Sequence, residues 1–237
     1  MIQATNKAFS NSIDHFFRGA FSVDIVLITF HSGKLKILLQ EKDETLFDQE
    51  LGLPGKLILP NEDTDKAMDN LLDSLIGKSD FYKKQLRAFS EIGRHPLGRV
   101  ITFAYYGLIP YEQLQAALPA QLSWHIIDDV PKLIYDHDQI LSTVLKRFKK
   151  GLLRHPTVFE ILPKEFSISD VISIYEQAFA KKLDASNFGK QIKKSELVYS
   201  LEKYRENSTN TGRPPKLYSF DKMKYKGVQK DRILFNF

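Results

Sequence analysis

The longest apolar stretch of the chain, Phe21–Phe30 (FSVDIVLITF), is strand-sized and rich in β-branched residues. It is followed by His31-Ser32-Gly33 and a second apolar run, Lys34–Gln40 (KLKILLQ). Two such runs joined by a glycine-containing turn predict a β-hairpin. A membrane helix needs roughly 20 apolar residues, so no integral membrane segment is expected. The N-terminal MIQATNKAFSNSIDHF carries charge and lacks both an apolar core and a small-residue cleavage site, unlike a signal peptide. The chain has no cysteine. Disulfides, thiolate metal sites and a cysteine nucleophile are excluded, and a cytoplasmic location is the expectation. With 237 residues, 43% of them hydrophobic and 27% charged, there is material for two modest globular domains.

The pattern along the chain supports that division. After Leu51-Gly52-Leu53-Pro54-Gly55 and Pro60-Asn61-Glu62, Ala67, Met68, Leu71, Leu72, Leu75 and Ile76 recur at helical spacing, with Gly77 placed to cap a helix over about 65–76. Strands are expected at Leu86–Gly93 and Arg99–Ile109, separated by the Pro- and Gly-containing loop 94–98, and at Ser123–Ile126. Asp138–Lys150 reads as an amphipathic helix through Ile140, Leu141, Val144, Leu145 and Phe148. This α/β (α+β) unit is expected to span residues 1–150, with Gly151–Pro163 as the connection to a second unit, 151–237. There Ser167 precedes a helix with Asp170 as a capping-box partner, and Asp184 caps a second helix, Ala185–Lys194. A hairpin follows, Leu197–Leu201 and Lys216–Phe220 around a polar loop. Helix, helix and two-stranded ribbon is the order of a winged helix-turn-helix.

Charge divides at the same place. Residues 1–150 hold 18 Lys/Arg against 19 Asp/Glu, and residues 151–237 hold 16 against 10, so the net charge of +5 belongs to the C-terminal third. A compact basic module points to an anionic partner, double-stranded DNA first, although lysines that only solubilise a small domain give the same count.

The first unit resembles the Nudix fold, whose signature G-x5-E-x7-R-E-U-x-E-E-x-G-U (U aliphatic) forms a loop, a helix and a loop. Leu53-Pro54-Gly55-Lys56 lies where that family has L-P-G-G, Pro60-Asn61-Glu62 where it has P-G-E, and Gly77 at the closing glycine. The R-E-U-x-E-E block falls on Asn70, Leu71, Leu72, Asp73, Ser74 and Leu75. In the family, glutamates at those places converge from one helix face on Mg²⁺, which neutralises a diphosphate and activates water. Leu71, Ser74 and Leu75 supply no charge there, and Glu62 alone is a poor Mg²⁺ site or simply a charge favouring the helix dipole. The resemblance with this departure implies a Nudix-like sandwich without hydrolase activity, without a metal and without a cofactor.

Further stretches are similar to one branch, the Nudix-related transcriptional regulators. They are Arg94-His95-Pro96-Leu97-Gly98-Arg99-Val100, Ile134-Tyr135-Asp136-His137, Leu162-Pro163-Lys164-Glu165-Phe166-Ser167, Leu183-Asp184-Ala185-Ser186-Asn187-Phe188 and Gly212-Arg213-Pro214-Pro215-Lys216-Leu217-Tyr218. The resemblance implies a regulator that binds DNA as a homodimer and senses a small molecule, a sugar or an ADP-ribose-like compound. The rival reading is an atypical Nudix hydrolase of a nucleoside diphosphate derivative with ligands from elsewhere. Candidate effector contacts are Glu41, Lys42, Lys56, Glu62, Arg94, His95 and Arg99, with the two arginines able to grip a phosphate or a hydroxyl pair. In the second helix of the basic module, Phe188 and Ile192 at i, i+4 should face the core. Ser186, Asn187, Lys190, Gln191 and Lys194 then face outward for base edges and phosphates, with Arg213 and Lys216 on the wing. Gly189 is a mid-helix departure from the branch and costs about 1 kcal/mol against Ala. Lys181, Lys182, Lys193, Lys203 and Arg205 are expected to add nonspecific attraction.

Overall fold

A computed structural model describes residues 19–42, 51–77, 80–96, 98–114, 118–205 and 214–226. The expected hairpin is β1 (Ala20–His31) and β2 (Lys34–Glu41), with His31 paired to Lys34. Ser32 and Gly33, the two turn residues, both have positive φ, 52° and 74°. That is the tight reversal whose twist matches the strands it joins. β1 also pairs with the short β4 (Gly55–Leu57) and, in parallel, with β6 (Val100–Leu108). β3 (Leu51–Gly52), β5 (Tyr82–Phe89) and β7 (Leu122–Ile126) complete a seven-stranded mixed sheet.

β1 is buried on both faces, which is why it reads as a continuous apolar run. Val23, Ile25 and Leu27 pack with Met68, Leu71 and Leu72 of α1 (Thr64–Ile76). Val26, Ile28 and Phe30 pack with Ile140, Val144 and Phe148 of α2 (His137–Arg154). A helix therefore covers each side of the sheet. Asp63 caps α1 by accepting from the Lys66 amide, and Gly77 ends it at φ 65°.

Several boundaries differ from the sequence expectation, those of three elements by more than a residue. β5 begins at Tyr82 rather than Leu86 and ends at Phe89, because it is an edge strand whose Lys83, Lys84, Gln85 and Arg87 hide the apolar alternation. α2 runs through Arg154, so the expected division after residue 150 falls inside a helix. Gly151 does not stop α2: a Cβ there would stand 3.3 Å from Thr157 Oγ1, so this glycine serves close packing of the chain that folds back. The wing strand β9 covers Val198–Tyr204.

The C-terminal unit holds α3 (Ile168–Phe179), α4 (Ala185–Lys194), β9, β10 (Lys216–Phe220) and the short α5 (Lys222–Lys226). The capping box at Ser167 and Asp170 is formed, and Asp184 caps α4. A third strand, β8 (Phe166–Ser167), pairs with β10, so the ribbon is a three-stranded sheet. The two units share an apolar seam through Leu152, Val158, Phe159, Ile161, Phe166, Ile174 and Tyr175. The buried Tyr175 hydroxyl donates to the Leu152 carbonyl at 2.7 Å, and burial pushes its ionisation well above the ordinary range. Gln177 of α3 reaches the β1–β2 turn, where its Oε1 accepts from the Leu35 amide and its Nε2 donates to the Gly33 carbonyl, both at 2.9 Å. No described helix is long and apolar enough to cross a membrane.

Candidate effector cavity and nucleic-acid interface

A cavity of about 230 Å³ opens where β1, β4, the loop before β6 and the start of α2 converge. Lys42, Lys56, Arg94 and His95, four of the seven residues expected to contact an effector, line it. Ser22, Asp24, Tyr135 and His137, which sequence reasoning missed, line it too. The signal for Asp24 was present: it is the one charged residue inside the most apolar stretch of the chain. A buried carboxylate is retained only with partners, so such a residue marks a polar site.

Arg94 is buried and forms a two-pronged ion pair with Asp136, Nε to Oδ2 at 2.9 Å and Nη2 to Oδ1 at 2.6 Å. Its guanidinium also lies 4.0 Å from Asp24. The arginine that looked free to grip an anion is thus held by carboxylates. Arg99 does not line the cavity and donates to the Ser90 and Glu91 carbonyls at 2.6 and 3.1 Å, closing the loop on itself. Glu41 ends β2 at the surface, outside the lining. His137 accepts from the Leu53 amide at Nδ1, and burial pushes its pKa below the ordinary value.

Glu62 stands just outside the cavity and fixes Lys56. Both carboxylate oxygens take the Lys56 ammonium at 2.9 Å, Asn70 Nδ2 donates at 2.7 Å and the Leu59 amide at 3.2 Å. These bonds, the Lys56 one foremost, hold its pKa down to about 2. Where the Nudix signature has a glycine and an arginine, this chain has Lys56 and Asn70, and both now hydrogen-bond the same carboxylate.

The residues in place of the metal-binding glutamates do not fit a divalent cation. Leu71 is 5% exposed and packs against the sheet, Leu75 is half-buried in the same cluster, and Ser74 spends its hydroxyl proton on the Leu71 carbonyl at 2.7 Å. Hard cations take oxygen ligands, several of them charged, and this face offers a single hydroxyl. Among the described residues no group of three or more His, Asp or Glu is arranged to hold a metal ion.

In the C-terminal unit, α4 buries Phe188, Gly189 and Ile192 and exposes Ser186, Asn187, Lys190 and Lys194, with Gln191 half-buried. Gly189 has a packing reason: a Cβ there would stand 3.3 Å from Ile168 Cγ2, where α3 begins. Arg213 lies outside the described residues. Lys216 is engaged by Glu202 at 2.9 and 3.0 Å, which raises the lysine's pKa and lowers the glutamate's. Of the cations expected to add nonspecific attraction, three are paired within the fold: Arg205 with Asp170, Lys203 with Glu165 and Lys182 with Glu176. Arg205 instead ties the wing to the cap of α3.

Residues 158–220 match the NrtR DNA-binding winged helix domain family. Over 206 residues the chain is 23% identical to the ADPR responsive transcriptional repressor NtrR of Acinetobacter baylyi, covering 84% of this chain and 81% of that protein. The fold superposes on Shewanella oneidensis NrtR, solved with a 27mer DNA, at a TM-score of 0.73 and 24% identity, over 85% of this chain and 93% of that one. The NUDIX domain of the same Shewanella protein, solved with ADP ribose, aligns at a TM-score of 0.50 and 28% identity over 57% of this chain and 92% of that one. In fold and in domain order the chain matches these structures, a Nudix-like sandwich followed by a winged helix domain of the NrtR type.

Proposed function

We propose that this chain is a cytoplasmic, ligand-responsive DNA-binding regulator whose Nudix-like unit senses an ADP-ribose-like effector without hydrolysing it. The observation that carries the reading is the exposed polar and basic face of α4, with Asn187, Lys190 and Lys194 presented by a winged helix whose relative was solved on DNA. Asparagine suits adenine edges, and lysines suit phosphates or guanine. The effector assignment rests on the Shewanella NUDIX domain solved with ADP ribose and on Lys42, Lys56 and His95 lining the cavity, with Glu62 holding Lys56 in position. Leu71, Ser74 and Leu75 support a binding role in place of metal-assisted hydrolysis. We place the division between the units in the break after Arg154, and two half-sites read by a homodimer supply the specificity that one small helix lacks.

The test is binding of the purified chain to DNA from upstream of its own gene at two salt concentrations, with and without ADP-ribose, and with arabinose as the alternative effector. Affinity should fall steeply with salt and change on adding ADP-ribose. Binding that ignores salt removes the DNA reading, and binding that responds only to arabinose moves the effector to a sugar. Turnover of ADP-ribose with Mg²⁺ that is lost in Glu62→Gln favours the hydrolase instead.

A further inference from the structure

The cavity contains a donor and an acceptor that the protein leaves for a third group. His137, with a side chain 4% exposed, uses Nδ1 to accept from the Leu53 amide, so its ring proton sits on Nε2. Because Nδ1 accepts, the ring carries its one proton on Nε2, which is a donor only. Asp24 uses Oδ2 to accept from Thr102 Oγ1 at 2.5 Å. Its other oxygen, Oδ1, lies 3.9 Å from His137 Nε2. That separation is too long for a hydrogen bond and short enough for one oxygen atom to touch both. Gly55 makes room for this arrangement, since a Cβ on it would fall 1.9 Å from Asp24 Oδ1.

The chemistry of the pair selects what fits between them. A phosphate oxygen could accept from Nε2, but it has no proton for Asp24 and would meet a second negative charge. An ammonium could satisfy Asp24, yet it has no lone pair for the imidazole proton. A hydroxyl does both, accepting from Nε2–H and donating to the carboxylate. The Ser22 side chain stands on the same strand beside Asp24 and lines the same cavity, and Lys42 on the lining carries a positive charge that suits an anionic part of the ligand.

We propose that Asp24 and His137 form a subsite that reads a ribose hydroxyl of the effector. This rests on the effector reading above and names which part of the molecule meets the buried pair. The bland alternative is a permanently bridged structural pair with a bound water, indifferent to the ligand.

Calorimetric titration of the full chain separates the two. The probes are ADP-ribose and two analogues, one lacking the vicinal diol of the adenosine ribose and the other lacking that of the terminal ribose. The wild-type chain should bind one analogue about tenfold or more weakly than ADP-ribose, the loss typical of a buried polar site left unpaired. Asp24→Asn should lose a similar factor for ADP-ribose and almost nothing further for that analogue, because the interaction is already gone. The wild-type analogue series needs no variant, so an unfolded Asp24→Asn leaves the proposal testable. Equal affinity of the wild type for all three probes overturns the subsite alone, as does an Asp24→Asn loss of the same size for every probe. Failure of ADP-ribose to bind the wild-type chain at all overturns the effector reading and the subsite with it.

Discussion

Helices α1 and α4 begin alike and end in opposite roles. Each is capped by an aspartate that accepts from the amide three residues on, Asp63 from Lys66 and Asp184 from Asn187. In α4 the buried stripe is narrow, Phe188, Gly189 and Ile192, and a polar, basic face is left to the solvent. In α1 the stripe has widened to Ala67, Met68, Leu71, Leu72 and Ile76, and it has absorbed part of the face on which Nudix enzymes hold their metal. A helix can keep its caps, its length and its closing glycine while one face changes from ligand to core. Function therefore has to be read from individual faces, with the motif's frame establishing only the fold.

The most forceful way to break this comparison is to put an acid back. Leu71→Glu should destabilise the chain by about 3 to 5 kcal/mol, because an unpartnered carboxylate would be buried against the sheet. Ser74→Glu, on the exposed side of the same helix, should stay within about 0.5 kcal/mol. Urea denaturation of both variants is the measurement, and a harmless Leu71→Glu would show that this face is not core.

The next effect concerns the junction between the two helices' domains. Gln177→Ala removes both hydrogen bonds to the β1–β2 turn and leaves the Leu35 amide unpaired in a part-buried place. About 2 kcal/mol should be lost in a thermal or urea melt. The same strand, β2, leads to Lys42 at the cavity, so the variant should still bind DNA and ADP-ribose while the effect of one on the other shrinks. Full coupling in Gln177→Ala would mean the signal travels by another route, such as the apolar seam.

A smaller change sharpens the other helix. Lys190→Ala should leave stability alone and weaken DNA binding about tenfold, with a salt dependence shallower by about one counterion. Lys182→Ala should do little, since that lysine is paired with Glu176. Equal losses from both would point to a general basic field in place of a reading face.

These contrasts also separate what the sequence makes legible from what it hides. β1 and β2 were readable because an apolar alternation and a two-residue turn are local signals. α3, α4 and both of their caps were readable for the same reason. β5 lies four residues earlier than its apolar pattern suggests because an edge strand answers to solvent, and β8 leaves no signal in the sequence because a two-residue strand exists only through its pairing with β10. The effector candidates show the same limit. Lys42, Lys56, Arg94 and His95 could be named from the resemblance, but Arg94's commitment to Asp136 and the facing of Asp24 and His137 depend on chain segments far apart in sequence. Residue type locates a charge along the chain, and only tertiary contact says whether that charge is free to act.

Glu62 gives the mildest and most diagnostic test. The Lys56 ammonium and its other donors lower its pKa from the ordinary value of 4.5 to about 2, so its charged form favours the folded state. The stabilisation is fully present above the unfolded value, and it is lost as pH falls from about 4.5 toward 2, where both states become protonated. Wild type and Glu62→Gln should therefore differ in urea midpoint near pH 6 and converge near pH 2. The same variant sets the two readings of the Nudix unit against each other. If Glu62 were a catalytic ligand, Glu62→Gln would abolish turnover and leave little else. If its task is to hold Lys56 at the cavity, the freed ammonium should remain able to meet an anionic effector, and binding should persist with an altered dependence on salt. Loss of all ADP-ribose binding in Glu62→Gln, with folding intact at pH 6, would mean the carboxylate itself touches the ligand.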